Sequence, residues 1–184
     1  MTSRGQAGLP GQHEVFAQWY TEYLPRVLNY MRLRVYEEAL AQDLTALTFE
    51  RALSRVQTLR DEAAFGGWLF SIARTVVAGY YRHHRPLLSL DTIADCPEQV
   101  ASVESQVAQA EELGTLRAAL AVLSDREREI IDLRFVAGLT NRSIAQALGI
   151  QEGHVAVILY RALRKVRREL ADNIAQQGAR GGKG

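Results

Sequence analysis

The chain of 184 residues is 47% hydrophobic and 23% charged, as globular proteins are, and no apolar run approaches the roughly 20 residues that cross a membrane. Its single cysteine, Cys96, excludes an internal disulfide, and its Cys and His residues do not cluster with the spacing of a zinc site. A net charge of +1 and a flexible segment at residues 1–12, without the apolar core of a signal peptide, predict a soluble cytoplasmic protein with no metal or cofactor.

Apolar residues at helical spacing predict a first domain of three helices over residues 13–86. These helices span about residues 15–31, 37–56 and 62–84. Pro25 is expected to kink or split the first helix, because proline removes a backbone hydrogen bond. Asp61 is the predicted N-cap of the third helix, which ends before Pro86. The predicted buried face of the second helix consists of Leu40, Leu44, Leu47, Phe49, Ala52, Leu53 and Val56.

The signs of the charges separate along the chain. No acidic residue lies between Glu62 and Asp91, and no Lys or Arg lies from Pro86 to Leu116. Residues 87–102 mix Pro, Ser, Asp and Thr without any period. They are therefore predicted to form a flexible acidic linker that follows a basic end of the first domain.

A second helical domain is predicted over residues 103–172. It begins with a helix at about residues 103–122, and Ser124 with Glu127 forms the S-x-x-E capping box of the next helix. Gly138 stands where that helix needs a left-handed residue at its end. The domain is therefore expected to continue as several short helices joined by tight turns.

The last two helices of this domain have the pattern of a helix-turn-helix. Thr140 is the predicted N-cap of a short helix that ends at Gly149, and a longer helix spans about residues 151–171. An ordinary helical hairpin also fits, but steps of about 100° per residue leave the longer helix an arginine-rich outer face suited to DNA phosphates. The Gly-rich residues 173–184 are predicted to form a disordered tail. The predicted inward residues of the longer helix are Val155, Leu159, Ala162, Val166 and Leu170.

Two parts of the chain resemble one protein family. The C-terminal part is similar to region 4 of the extracytoplasmic-function sigma factors, although LuxR-type regulators share much of its pattern: LSDREREIIDLRFVAGLTNRSIAQALGIQEGHVAVILYRALRKVRREL. The N-terminal part resembles region 2 of the same sigma factors, in the expected order, through AQDLTALTFERAL and FGGWLFSIARTVVAGYYRHHR. Together they cover most of residues 14–171. The resemblance implies an all-α protein with two small helical domains that directs bacterial RNA polymerase to promoters.

The resemblance also implies a docking surface for the polymerase. The helix that carries DLTALTF corresponds to the family's contact with the clamp helices of the largest subunit. The implied partners are promoter DNA and core RNA polymerase, through its β and β′ subunits. The residues implied in docking are Asp43, Leu44, Thr48 and Arg51. Because Leu44 is also expected in the core, Asp43 and Arg51 are the better candidates for the contact.

The implied promoter contacts fall into two groups. Capture of the melted minus-10 strand needs a basic track and aromatic rings on which bases stack. The residues implied in this capture are Thr58, Arg60, Asp61, Arg74, Tyr80, Tyr81, Arg82 and Arg85. Recognition of the minus-35 duplex is implied for the helix-turn-helix. The residues implied there are Arg142, His154, Ala156, Val157, Tyr160, Arg161, Arg164, Lys165 and Arg168.

Several positions depart from the family pattern. Ala46 and Leu47 stand where Gln and Glu are usual, so the polymerase contact is expected to differ. Thr75 and Gly79 replace the common Asn and Asp of the minus-10 helix. Those two changes are expected to alter the reading of the minus-10 element. In the recognition helix, Ala156, Val157 and Ile158 are apolar where the family usually has hydrogen-bonding side chains. This change predicts an unusual or weak minus-35 preference.

Three other functions compete with a sigma factor. One is a LuxR-like regulator that uses only the helix-turn-helix, and another is a polymerase-binding adaptor that does not initiate transcription. An enzyme is the weakest of the three, because His13, His83, His84 and His154 have no catalytic partners near them in the sequence. The sequence leaves open the promoter, the inducing signal and whether an anti-sigma factor binds the chain.

Overall fold

The computed structural model describes residues 10–35, 37–59, 61–84 and 118–181. Every regular element in these ranges is helical, which confirms the predicted all-α class. The chain divides into two compact units. The predicted linker at residues 87–102 lies outside the described residues. No helix in the described ranges is long and apolar enough to span a membrane.

The first unit consists of α1 (Pro10–Arg32), α2 (Glu38–Arg55) and α3 (Phe65–His84), with short 3₁₀ turns at Val56–Thr58 and Glu62–Ala64 before α3. The Asp61 carboxylate accepts a hydrogen bond from the Ala63 N–H at 3.0 Å, as an N-cap does. The predicted cap is therefore present, although it opens a 3₁₀ turn rather than α3 itself.

Aromatic side chains hold α1 against α3. Phe65 is fully buried at the start of α3, and its ring stacks on Trp19 of α1 with centroids 4.2 Å apart. Tyr30 and Phe70, also buried, meet edge to face at 5.4 Å. Such pairs add about 1 kcal/mol each to the free energy that their burial supplies. The core of the unit also includes Leu44 and Phe49 of α2, so all three helices contribute to it.

Pro25 does not split α1, contrary to one of the two outcomes expected from the sequence. The helix continues from Pro10 to Arg32 with Pro25 inside it. An internal proline costs roughly 3 kcal/mol because it removes a backbone hydrogen bond. Val27, Tyr30 and Met31 are all buried just after the proline, and their burial offsets this cost.

The buried face of α2 differs from the predicted one. Thr45 and Thr48 are buried, whereas Leu53 is 46% exposed. The two threonine hydroxyls each donate a hydrogen bond of 2.7 Å to the carbonyl four residues earlier, Ala41 and Leu44. Because both hydroxyls are satisfied within the helix, burial costs them little. The prediction that Leu53 belongs to the core is wrong.

The second unit contains α4 (Asp125–Ile131), α5 (Asn141–Leu148) and α6 (Glu152–Gly181), after a helical segment at residues 118–121. Between α4 and α5, Asp132–Val136 forms a π-helix, which the sequence pattern did not predict. Ile130, Leu133 and Ile144 are fully buried in this unit. The predicted left-handed Gly138 has a φ of +66°, which a residue with a Cβ rarely adopts.

The last helix is longer than predicted. α6 continues to Gly181, although the sequence predicted its end near Ala171 and a disordered tail from residue 173. Ala171, Ala175 and the glutamines that follow favour a helix, and glycine becomes frequent only at the end of this segment. The prediction ended the helix too early because it relied on the glycine content of the last residues.

A capping network around Glu127 joins α4 to α6. Ser124 accepts a hydrogen bond from the Glu127 N–H at 3.3 Å, and the Glu127 carboxylate accepts one from the Ser124 N–H at 2.9 Å. This confirms the predicted capping box. The carboxylate also accepts a hydrogen bond of 2.8 Å from Lys165. That bond, followed by the one from the Ser124 backbone, lowers the pKa of the buried Glu127.

We expect Glu127→Gln to lower the free energy of unfolding of the chain by about 1–2 kcal/mol at pH 7, because it removes the charged cap and the bond to Lys165. A carboxyl group whose pKa is lowered on folding stabilises the protein above its ordinary pKa of about 4.3, and the contribution disappears as the pH falls through the folded value. The difference between wild type and variant should therefore shrink below about pH 4. Urea unfolding followed by circular dichroism at several pH values measures it.

Asp172→Asn is the matched control, since Asp172 lies in the same unit and its pair with Arg168 at 3.9 Å leaves both side chains largely exposed. We expect it to cost less than about 0.5 kcal/mol. Equal losses in the two variants, or a difference that does not depend on pH, would contradict the role given to Glu127.

Candidate nucleic-acid and polymerase interfaces

A tight turn joins α5 and α6 into a helix-turn-helix. Thr140 caps α5 by accepting a hydrogen bond from the Ser143 N–H at 3.1 Å. Gly149 ends α5 with a φ of +64°, and the Ile150 N–H then returns to the Ala145 carbonyl at 3.0 Å. A side chain at Gly149 would strain this left-handed conformation. The turn predicted from the sequence is therefore present, and it starts α6 immediately after α5.

The packing of α6 fixes which of its faces is exposed. Val155, Leu159 and Ala162 are buried, and Val166 and Leu170 are half-buried, in agreement with the predicted inward register. The predicted outer residues are all exposed: Ala156, Val157, Tyr160, Arg161, Arg164 and Arg168. His154 at the start of α6 and Arg142 at the start of α5 are exposed as well. Each of these side chains is thus accessible to a partner, whereas Lys165, the remaining minus-35 candidate, bonds to another helix.

Lys165 is the exception, because it already has a partner inside the unit. Its ammonium group donates a hydrogen bond to Glu127 of α4, so its charge is neutralised there. Arg168 lies 3.9 Å from Asp172, one turn further along α6, with both side chains largely exposed. Arg164 lies over the ring of Tyr160 at 5.8 Å. The sequence pattern could not separate Lys165 from the arginines, since its partner is 38 residues away.

The candidate docking residues on α2 do not share one surface. Asp43 is exposed, but Leu44 and Thr48 are buried, so the latter two present no side chain to a partner. The burial of Leu44 agrees with its expected place in the core, and the burial of Thr48 corrects its inclusion among the docking residues. Ala46 is exposed, and Leu47 is half-buried. Of the two departures from the family pattern on α2, only Ala46 therefore lies fully at the surface.

Arg51, the remaining docking candidate, lines a pocket between α2 and α3. The pocket is formed by Arg51, Arg55, Trp68, Ser71, Ile72 and Thr75. The sequence reasoning did not select Arg55, although it follows Arg51 by four residues and so lies on the same face of a helix. Trp68 is half-buried and contributes to the pocket wall.

The minus-10 candidates are distributed around α3 and the turn before it. Arg82 is exposed, and Arg74 and Tyr80 are half-buried. Tyr81 meets Tyr80 edge to face at 5.3 Å, and its hydroxyl donates a hydrogen bond to the Arg34 carbonyl. Burial raises the pKa of the Tyr81 phenol. Tyr81 therefore ties α3 to the end of α1 and is less available for stacking than the sequence suggested.

Two candidates in the turn before α3 make local contacts. The Thr58 hydroxyl donates a hydrogen bond of 2.7 Å to the Arg55 carbonyl, and Asp61 serves as the cap described above. Both side chains are exposed. Arg60 and Arg85, also proposed from the sequence, lie outside the described residues.

One exposed aromatic side chain was missed. Phe135 is 61% exposed within the π-helix at Asp132–Val136. In a regular helix Phe135 would share a face with the buried Ile131, four residues earlier, so the sequence pattern does not indicate its exposure. Segments of π-helix are frequent at functional sites.

Both units match models of a known protein family. Residues 19–86 match the family model of Sigma-70 region 2, and residues 119–168 match that of Sigma-70, region 4. The ECF RNA polymerase sigma factor BldN of Streptomyces coelicolor is 34% identical over 176 residues, covering 94% of this chain and 66% of that protein. The RNA polymerase sigma factor YlaC of Bacillus subtilis is 28% identical over 162 residues, covering 82% and 89%.

A solved structure supports the fold. The sigma factor RpoE from Bartonella quintana, determined in complex with the anti-sigma factor NepR, aligns with a TM-score of 0.64 and 22% identity, over 86% of this chain and 98% of its own. A LuxR-type regulator needs only the second unit, whereas the region 2 match requires the first. This chain belongs to the extracytoplasmic-function group of the sigma-70 family.

Proposed function

We propose that this protein is a transcription initiation factor that binds bacterial core RNA polymerase and directs it to promoters. The minus-10 element is contacted by the first unit, and the minus-35 element by α6. The observation that carries the proposal is the accessible arginine face of α6, the second helix of a tight helix-turn-helix, in a chain whose first unit matches Sigma-70 region 2. A regulator without polymerase would not need that unit.

Reconstitution tests the proposal. Core polymerase mixed with the purified chain should start transcripts from a defined set of promoters, and sequencing of their 5′ ends should reveal shared elements upstream. Core polymerase alone is the control. Copurification with core without any specific transcript would favour an adaptor, and tight sequence-specific binding by the free chain would favour a LuxR-like regulator.

The outer face of α6 can make two kinds of DNA contact. Arg161 and Arg164 are exposed cations that can bind phosphate oxygens, which position the helix but carry no sequence information. Val157 is 45% exposed on the same face. Its methyl groups can pack against a thymine methyl in the major groove, and that contact does depend on sequence.

We expect Arg161→Ala to weaken holoenzyme binding to all minus-35 variants alike, and to reduce the slope of log K against log salt by about one unit. Val157→Thr nearly preserves shape but replaces a methyl group by a hydroxyl. It should change the preference among the variants by about 1 kcal/mol and leave the salt slope unchanged. Equilibrium binding to a set of minus-35 duplexes at several salt concentrations measures both effects.

Arg126→Ala is the matched control for charge, since Arg126 lies on α4 and pairs with Glu129. It should alter neither the slope of log K against log salt nor the preference among minus-35 variants. If Arg161→Ala and Val157→Thr both behave like this control, α6 does not enter the groove in the proposed way.

Docking on polymerase is proposed for the exposed side of α2, and Asp43 is the residue on which this rests. Asp43 is an exposed carboxylate on a rigid helix, suited to a basic side chain on the partner. Asp43→Ala should weaken association with core polymerase by about fivefold, the size of one exposed charge contact. Fluorescence anisotropy of the labelled chain with core, in the absence of DNA, measures the affinity. Glu14→Ala, at an exposed position of α1, should leave it unchanged.

A further inference from the structure

Two exposed side chains on the outer face of α6 contact each other. The guanidinium carbon of Arg164 lies 5.8 Å from the ring centroid of Tyr160, within the distance at which an aromatic face attracts a cation. The two residues are four apart, so they lie on the same side of the helix, about 6 Å from each other along its axis. Both belong to the surface that is proposed to face the minus-35 duplex.

The contact with Tyr160 leaves the charge of Arg164 available. Lys165, the next residue, is paired with Glu127 of α4. Arg168 lies 3.9 Å from Asp172, one turn further along α6. In the part of the chain that the structure describes, Arg164 takes part in no such ion pair. An aromatic ring attracts a guanidinium without neutralising it, so Arg164 can still bind a phosphate.

The ring of Tyr160 lies outside the core of the unit. Its residue is 63% exposed, and the ring packs on no other aromatic ring among the residues that the structure describes. The inward side of α6 is supplied instead by Val155, Leu159 and Ala162, all of them buried. Replacing Tyr160 therefore opens no cavity, and a change in DNA binding after its replacement reports on the surface of α6.

The direction of helical side chains gives this contact a function. The Cα–Cβ bonds of an α-helix tilt toward its N-terminus, so the side chain of Arg164 covers the turn that precedes it. The ring of Tyr160 then holds the guanidinium toward the N-terminal part of α6, the part that enters the groove in a helix-turn-helix. An arginine loses side-chain freedom when it binds a phosphate, and a guanidinium already held over a ring loses less of it.

We infer that Tyr160 is a positioning residue whose ring holds the Arg164 guanidinium in the orientation that binds a phosphate at the edge of the major groove. The inference rests on the proposed function. It changes the role that the family resemblance implied for Tyr160, from a direct contact with the minus-35 duplex to one made through Arg164.

A double-mutant cycle tests this coupling, with reconstituted holoenzyme and a duplex taken from a promoter that the holoenzyme uses. Tyr160→Leu keeps an apolar side chain but removes the ring, and it should weaken binding about two- to fivefold, the size of an exposed cation–π contact. Arg164→Ala should also weaken binding and reduce the slope of log K against log salt by about 0.9, the value for one phosphate of duplex DNA. In the Arg164→Ala background, Tyr160→Leu should have no further effect, because the group that it positions is gone.

Further variants separate positioning from a direct contact of Tyr160 with DNA. Tyr160→Phe keeps the ring and should retain the affinity of wild type. Tyr160→Leu should weaken binding to all minus-35 variants equally, since a phosphate contact carries no sequence information. Arg168→Ala is the matched control for the cycle, because it removes the same charge from the same helix at a residue that lies beside Asp172. In its background, Tyr160→Leu should lower the affinity by the same factor as in wild type.

The inference is wrong if Tyr160→Leu leaves binding unchanged, or weakens it by the same factor with and without the Arg164 guanidinium. It is also wrong if Tyr160→Phe binds as weakly as Tyr160→Leu, or if Tyr160→Leu alters the preference among minus-35 variants, since Tyr160 would then contact DNA itself. Circular dichroism checks that each variant is folded, and Tyr160→Gln replaces Tyr160→Leu if the latter aggregates.

The same measurements distinguish a failure of this inference from a failure of the proposed function. If Arg161→Ala and Val157→Thr behave as predicted while the cycle shows no coupling, only the positioning role of Tyr160 is wrong. A wild-type holoenzyme that initiates no transcription would overturn the proposed function, and the inference with it.

Discussion

The rotation of α6 about its own axis is the constraint on which the DNA-binding surface depends. Val155 and Ala162 are completely buried, and Leu159 is nearly so, which leaves the helix one orientation against α4 and α5. A rotation of one residue, about 100°, would expose these apolar side chains and bury arginines, whose desolvation costs several kcal/mol. The exposed basic face is thus a consequence of the apolar face, and not an independent feature.

The backbone of the preceding turn fixes where α6 starts. Gly149 reverses the chain in a left-handed conformation, and the hydrogen bond from Ile150 to Ala145 closes the turn. Thr140 and Ser124 cap the two preceding helices. Each cap satisfies backbone N–H groups that would otherwise be without a partner. The recognition helix therefore projects from a short, fully bonded scaffold.

Partners within the fold decide which charges are available for function. Lys165 and Arg164 are neighbours in the sequence, but Lys165 is neutralised by Glu127 while Arg164 lies exposed over Tyr160. In the first unit, Arg32 is held by Glu38 at 2.6 Å, whereas Arg51 and Arg55 face a pocket without an acid. Basic residues that look alike in the sequence therefore differ in the fold. Some pair with an acidic side chain, and others remain accessible to a partner.

The sequence by itself determined the helical class, the helix-turn-helix, the caps at Ser124 and Thr140 and the register of α6, because all of these depend on contacts between residues close in the chain. Only the tertiary structure decided which face of α2 is buried, since Thr45 and Thr48 replace Leu53 in the core once their hydroxyls bond within the helix. It also decided that Arg51 turns toward α3 and that Lys165 meets Glu127. These positions depend on side chains distant in the sequence, and no local periodicity carries that information.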